Sequence, residues 1–256
     1  MTNIVLKTEG LTKHYGGVQA LEDADFELHE GEHVAIVGDN GAGKSTFVRQ
    51  ITGVETRTRG KIWFGGQEVE FAGPLDAREA GMECVFQNLA LADDLDVPSN
   101  LFLGREKIRF NLGPFSILDR RAMRAATEEG LKRTGVKIPS LDNAIRNMSG
   151  GQRQCVAIAR SASFARKLII MHEPTAALGV QETGQVENII RTLKEQNIPL
   201  VLVSHNLRQV FDLVDRIVVF RHGHIVASLR REETDGNDIV SYITGVKSQN
   251  EAAAFI

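Results

Sequence analysis

Residues 38–46, Gly-Asp-Asn-Gly-Ala-Gly-Lys-Ser-Thr, constrain the fold more than any other stretch of the chain. They fit the pattern G-x-x-x-x-G-K-[ST], and the context fits as well. The apolar run His33–Gly38 reads as a buried strand before the loop, and a helical pattern runs from Lys44 to about Thr52 after it. Each residue type has a physical reason. Gly41 and Gly43 let the backbone bend so that successive N–H groups line a concavity. Those donors, with the backbone of Gly38, Asp39, Asn40 and Ala42 and the N-terminus of the helix, suit phosphate oxygens. Lys44 reaches the β- and γ-phosphates of a nucleotide, Ser45 offers a hydroxyl to Mg²⁺, and Thr46 adds a further phosphate contact. By itself the loop says that a nucleoside triphosphate is bound and nothing of what is done with it. It occurs once, so the chain holds one copy of the unit it defines.

The rest of the chain reads as strands alternating with helices. Ile4–Leu11 and Val18–Leu28 alternate apolar and polar residues, as half-buried strands do. Gly60–Val69 reads as a hairpin turning at Gly65-Gly66, followed by a short helix in Pro74–Gly81 and a buried strand in Met82–Gln87. From Asn88 to about Arg146 no strand is evident; Ser99–Glu106 and Leu118–Gly135 read as helical, the second capped by Asp119 and stopped by Gly135. This suggests a small helical lobe over about 88–160. A further helix follows Gly150-Gly151, and Leu168–Met171 returns to strand character. Then come a helix (Gln181–Gln196), a strand (Leu200–Val203), a helix (Asn206 to about Val214), a hairpin (Arg216–Leu229) and a last helix (Asp235–Thr244). His222 and His224 read as surface residues of that hairpin, and 246–256 as a frayed tail. The fold class is α/β: a mostly parallel sheet covered by helices, with antiparallel strands at its start and end.

Composition sets limits. With 256 residues, 42% hydrophobic and 25% charged, the chain can bury one large domain, or a core domain with a small lobe. A net charge of −3 gives none of the basic excess that would argue for nucleic acid as a partner. Met1–Lys7 lacks the basic leader and long apolar core of a signal peptide. No apolar run approaches the roughly 20 residues that span a bilayer, so membrane contact is expected only through a partner. Cys84 and Cys155 each lie in an apolar segment and read as small core residues in a reducing cytosol, not as a disulfide.

Asn147–Gln154 narrows the reading. Its Ser149-Gly150-Gly151-Gln152 opens a helix and offers a second set of backbone donors for phosphate. With this stretch lying between Lys44 and Glu173, the chain resembles the ATP-binding cassette (ABC) ATPases, whose signature is Leu-Ser-Gly-Gly-Gln; Met148 here replaces the leucine. The family's other motifs follow in order over about residues 4 to 245. Tyr15 matches the aromatic that stacks on adenine, a planar base that suits a π-face. Gln87 matches the loop glutamine that senses Mg²⁺ and water and couples to the membrane partner. Leu168–Thr175 matches the Walker B segment and His205 the switch histidine. Within the family, Glu173–Thr183 and Asn100–Glu106 are similar to the ATPases of simple-sugar importers, in a single-cassette, fructose-type form.

The resemblance implies a P-loop core with an antiparallel β subdomain and a helical lobe, all within one cassette domain over 1–256. It implies ATP and Mg²⁺ as ligands, with Glu173 as the general base that polarises the attacking water and His205 touching the γ-phosphate. It implies a second cassette, in a homodimer or in a pair with a different cassette, whose Ser149–Gln152 faces the phosphate loop. It implies membrane permease subunits and a substrate-binding protein as partners, and a peripheral position on the cytoplasmic face of the inner membrane. Gly179 departs from the family pattern, standing where many cassettes have aspartate.

His172 is the larger departure, because most of the family has aspartate there, in the Mg²⁺ shell. Mg²⁺ is hard and takes oxygen ligands, whereas imidazole suits softer metals and brings no negative charge. Three readings stand: an active ATPase with weakened Mg²⁺ handling, a tolerated histidine that accepts from a metal-bound water, or a regulatory cassette that binds ATP with little hydrolysis. An ATPase of this class acting without a membrane partner is a further alternative.

Overall fold

The computed structural model describes residues 3–110 and 116–247, and twelve strands and eight helices lie among them. In chain order the strands are β1 (Ile4–Tyr15), β2 (Val18–His29), β3 (His33–Val37), β4 (Arg59–Phe64), β5 (Gln67–Glu68), β6 (Met82–Val85), β7 (Ile108–Phe110), β8 (Ile117–Leu118), β9 (Leu168–His172), β10 (Leu200–Val203), β11 (Arg216–Arg221) and β12 (His224–Arg230). The helices are α1 (Lys44–Ile51), α2 (Pro74–Ala80), α3 (Val97–Leu101), α4 (Arg120–Thr134), α5 (Gly150–Phe164), α6 (Val180–Glu195), α7 (Leu207–Leu213) and α8 (Gly236–Thr244). The chain divides into two compact units: Met1–Cys84 with Ala165–Glu173 and Lys194–Ile256, and Val85–Phe164 with Pro174–Leu193.

The first unit holds two sheets. The larger has the order β12-β11-β3-β10-β9-β6. Its central strands β3 and β10 are buried at every position, as expected of parallel strands covered on both faces. β10 runs parallel to β3 and to β9, and β11 runs parallel to β3, so the C-terminal ends of β3, β9 and β10 lie side by side. That alignment positions the site, because the phosphate loop leaves β3 and His172 ends β9. The second sheet, β2-β1-β4-β5, is antiparallel. Phe26 of β2, Phe47 of α1 and Phe220 of β11 meet with ring centroids 5.3 and 5.4 Å apart, tying this sheet, the phosphate-loop helix and the larger sheet into one core.

The second unit is mainly helical. Asp119 caps α4 by accepting from the Ala122 N–H at 2.9 Å, and Gly135, at φ 70, ends it in the left-handed conformation. Two expectations are corrected here. Ser99–Glu106 is not one helix: α3 starts at Val97 and stops at Leu101, and the chain turns through Gly104 at φ 76. The stretch from Asn88 to Arg146 is not free of strands, since β7 and β8 pair antiparallel with Ile108 opposite Leu118 and Phe110 opposite Ile117. Strands of three and two residues are too short to show a period of two. Cys155 is buried and free, and Cys84 is free. Of the tail expected to fray, 248–256 lie outside the described residues, while Lys247 is tied to Asp238 at 2.5 Å.

Candidate active site

The phosphate loop is fixed by contacts that admit only certain residues. A β carbon at Gly38, which sits at φ 145, would run into the carbonyl oxygen of Phe220 on β11. The loop therefore lies against the neighbouring strand, and the Ala42 carbonyl accepts from the Gly223 N–H at 3.0 Å. Gly43 precedes α1 at φ 104, with no side chain capping the helix. The first N–H groups of α1 are thus left to the loop's interior. Lys44 is 7% exposed, and its ammonium donates to the carbonyls of Gly38 at 2.6 Å and Asp39 at 2.8 Å. Burial lowers its pKa, against the pull of Glu173 and Asp39. Asp39, Asn40, Gly41 and Ser45 are exposed, Ala42 is buried and Thr46 is half-buried.

The end of β9 brings four expected residues together in two pairs. The Ser45 hydroxyl and His172 Nε2 are 2.9 Å apart, so an imidazole stands next to the loop serine. Burial lowers the His172 pKa, and Lys44 and Arg49 add to this against the opposing effect of Glu173. The ring is therefore neutral near pH 7, with one nitrogen donating and one accepting. Glu173 sits at φ 52, in the left-handed region that non-glycine residues seldom adopt, and its N–H donates to the Val203 carbonyl at 2.8 Å. Such a conformation persists only where the surroundings fix it. Its carboxylate accepts from His205 Nδ1 at 2.8 Å, with the His205 side chain 73% exposed and that of Glu173 14%.

Tyr15 stands at the end of β1 and is 43% exposed. Its hydroxyl donates to the carboxylate of Glu55, which also accepts from Arg49 of α1 at 3.1 Å. Neither Glu55 nor Arg49 was legible as a site residue, since no local pattern marks a contact across 40 positions.

The second unit holds the remaining expected residues. Ser149 and Gln152 cap α5 reciprocally: the Gln152 N–H donates to Ser149 Oγ at 3.2 Å, and the Ser149 N–H donates to Gln152 Oε1 at 3.0 Å. A β carbon at Gly151 would run into the side chain of Glu182, whereas Gly150 is exposed. Arg153, which the sequence did not single out, donates to the carbonyls of Ile145, Met148 and Arg146 at 3.1, 3.2 and 2.9 Å and so holds the turn before the helix. Gln87 is exposed in the bend after β6.

A family model described as "ABC transporter" matches residues 21–176. The chain belongs to the ABC transporter family. ABC transporter proteins similar to it include the fructose import ATP-binding protein FrcA of Rhizobium meliloti, 42% identical over 246 residues and covering 95% of both chains. The xylose/arabinose import ATP-binding protein XylG of Sulfolobus acidocaldarius is 38% identical, over 94% of both chains. The ribose import ATP-binding protein RbsA 2 of Streptomyces avermitilis is 35% identical over 94% of this chain, which spans 47% of that protein. Among solved ABC transporter structures, an ATP-binding cassette in its ADP conformation matches with a TM-score of 0.80 at 24% identity, over all of both chains. A dimeric bacterial cassette matches with a TM-score of 0.74 at 23% identity, over 89% of this chain and 99% of that one. These two likenesses concern the fold alone: an α/β ABC ATPase cassette. As a member of the ABC transporter family the chain is an ATP-binding ATPase.

Proposed function

We propose that the chain energises import of a simple sugar through a separate membrane permease, and that His172 slows its Mg²⁺-dependent turnover. The observation that carries the reading is the cluster at the end of β9, with Glu173 held by His205 and His172 set on the Ser45 hydroxyl. The fructose and xylose/arabinose import proteins, which this chain matches over nearly their whole length, support the substrate class.

ATP is the substrate. The loop N–H groups from Gly38 to Gly43, with Lys44 and Thr46, would hold its phosphates, and Tyr15 its base. Lys44 is a buried cation that donates to two backbone carbonyls, and a phosphate would neutralise it. Glu173 takes the proton of the water that attacks the γ-phosphorus. His205 donates from Nδ1 to Glu173 and so orients that carboxylate. Its Nε2 can donate to a phosphate oxygen only if it also carries a proton.

The donor set fits Mg²⁺ in part. In the first unit the Ser45 hydroxyl is the kind of hard ligand such an ion takes, and the His172 ring beside it is not; Gln87, in the second unit, would offer an amide oxygen of the same hard kind. Bound with the nucleotide, Mg²⁺ supplies neutralising charge at the phosphates. Position 172 brings no carboxylate to steady it.

A second copy of the chain would set its Ser149–Gln152 opposite the phosphate loop. Gln87 would couple the cassette to permease subunits, and a substrate-binding protein would deliver the sugar. The chain would then act as a peripheral subunit on the cytoplasmic face of the inner membrane, as one cassette with a helical lobe over about 88–160. Among the described residues no helix is long and apolar enough to cross a membrane, which is compatible with that position. Two measurements test the reading. Co-purification with a polytopic membrane protein is expected, and its absence in intact membranes would remove the transport role. The ratio of turnover with Mn²⁺ to that with Mg²⁺ is expected to be higher for this chain than for its His172→Asp variant; equal ratios would remove the metal role of His172.

A further inference from the structure

Tyr15 is held from several sides. Its hydroxyl donates to one oxygen of Glu55, and the other oxygen of Glu55 accepts from Arg49 Nη1 at 3.1 Å. The Lys13 ammonium lies 5.1 Å from the centre of the Tyr15 ring and is fixed by the Thr56 carbonyl at 2.6 Å. The backbone agrees: the N–H groups of Val54 and Glu55 both donate to the Arg49 carbonyl, at 2.8 and 3.1 Å. Thr46 also reaches the Tyr15 hydroxyl.

These contacts have a direction. Arg49 lies on α1, the helix that begins with Lys44, Ser45 and Thr46. Glu55 lies in the loop that follows that helix. Tyr15 comes from β1, remote in sequence. An exposed Arg–Glu pair alone contributes little, on the order of 0–1 kcal/mol. This pair differs because each carboxylate oxygen of Glu55 has its own partner, one on α1 and one on the ring. A tyrosine on a hairpin corner has rotamer freedom; one whose hydroxyl is bonded to a carboxylate that is itself bonded to α1 has far less. Burial, and then the Glu55 carboxylate, raise the Tyr15 phenol above its usual value, so the hydroxyl remains a donor across the neutral range.

We propose that Glu55, anchored by Arg49, is a positioning residue that locks the Tyr15 ring to the phosphate-loop helix and thereby sets how well a purine base binds relative to its phosphates. The proposal rests on the reading of Tyr15 as the base platform. Glu55 itself touches no substrate in this account, so its effect appears only when the ligand carries a base.

The test is calorimetric titration of the full chain with ATP and with inorganic tripolyphosphate. Glu55→Ala is expected to weaken ATP about three- to tenfold, the worth of one net hydrogen bond, and to leave tripolyphosphate unchanged. Glu55→Gln, which still accepts from the hydroxyl, is expected to restore most of the loss. In a Tyr15→Phe background, where the hydroxyl is gone, Glu55→Ala is expected to add nothing. Equal weakening of ATP and tripolyphosphate, no change in ATP affinity, or a loss that persists in the Tyr15→Phe background would overturn the proposal. Tyr15→Ala separates the two layers. If it weakens ATP selectively and Glu55→Ala does not, the positioning role alone fails. If it leaves the ATP-to-tripolyphosphate ratio unchanged, the base-platform reading fails with it.

Discussion

Helices α1 and α5 both begin at glycine-rich turns, and they are finished differently. At α1 the residue before the helix is a left-handed glycine, no side chain caps the first turn, and a buried lysine follows at once. At α5 the first turn is closed by its own side chains, Ser149 and Gln152, and the basic residue that follows, Arg153, is turned back onto three carbonyls. The first arrangement is suited to an anion: no side chain caps its first N–H groups, and its ammonium donates to backbone carbonyls. The second is nearly satisfied by itself and offers a helix dipole without a cation. On the proposed function, a site of the first kind would bind phosphate by itself, and one of the second kind would add to a phosphate already held elsewhere.

The sharpest test of this contrast is at the chemical end of the α1 region. Glu173→Gln is expected to lower turnover by at least about 100-fold, the scale of a general base, with ATP binding retained. A single-turnover assay at saturating ATP reads it, and loss of binding in place of turnover would break the assignment.

A second difference is titratable. All seven histidines lie in the first unit, and His33, fully buried at the start of β3, is pushed down to about 4 by burial. Its ordinary value is near 6.5, so between those values the unfolded chain binds more protons than the folded one, and stability falls as pH falls. The loss is about 3 kcal/mol by pH 4. The unfolding free energy, read by urea titration, is expected to fall less steeply with pH for His33→Leu, the difference reaching about that amount between pH 7 and pH 4. An unchanged slope would remove His33 as the cause.

Lys44→Ala is expected to weaken ATP binding about 10- to 100-fold, as the loss of charge-assisted hydrogen bonds does. Ser149→Ala is expected to leave ATP binding by the isolated chain unchanged and to cost about 1 kcal/mol of stability, the worth of an N-cap. Equal effects of the two substitutions on ATP affinity would erase the distinction between the helices.

What was legible follows from how local each feature is. The phosphate loop was legible because its glycines and lysine answer local geometric demands. So were both ends of α4, since Asp119 and Gly135 act within one turn. The opening of α5 at Gly150-Gly151 was legible too, but the reciprocal capping by Ser149 and Gln152 emerged only in the structure. Features built by distant contacts were not legible. The hold of Glu55 on Tyr15, the clash that keeps Gly38 a glycine against Phe220, and the left-handed backbone of Glu173 leave no mark in neighbouring residues. The β7–β8 hairpin escaped for another reason, its strands being shorter than the period that would reveal them. His172 was legible as an anomaly; the structure adds that its ring reaches the Ser45 hydroxyl.

The most direct test is steady-state turnover of ATP by the full chain and by its His172→Asp variant at saturating Mg²⁺. A hard-ion ligand restored beside Ser45 should raise the rate about tenfold, or roughly 1.4 kcal/mol of barrier. Equal rates would contradict the view that His172 limits how this cassette uses Mg²⁺.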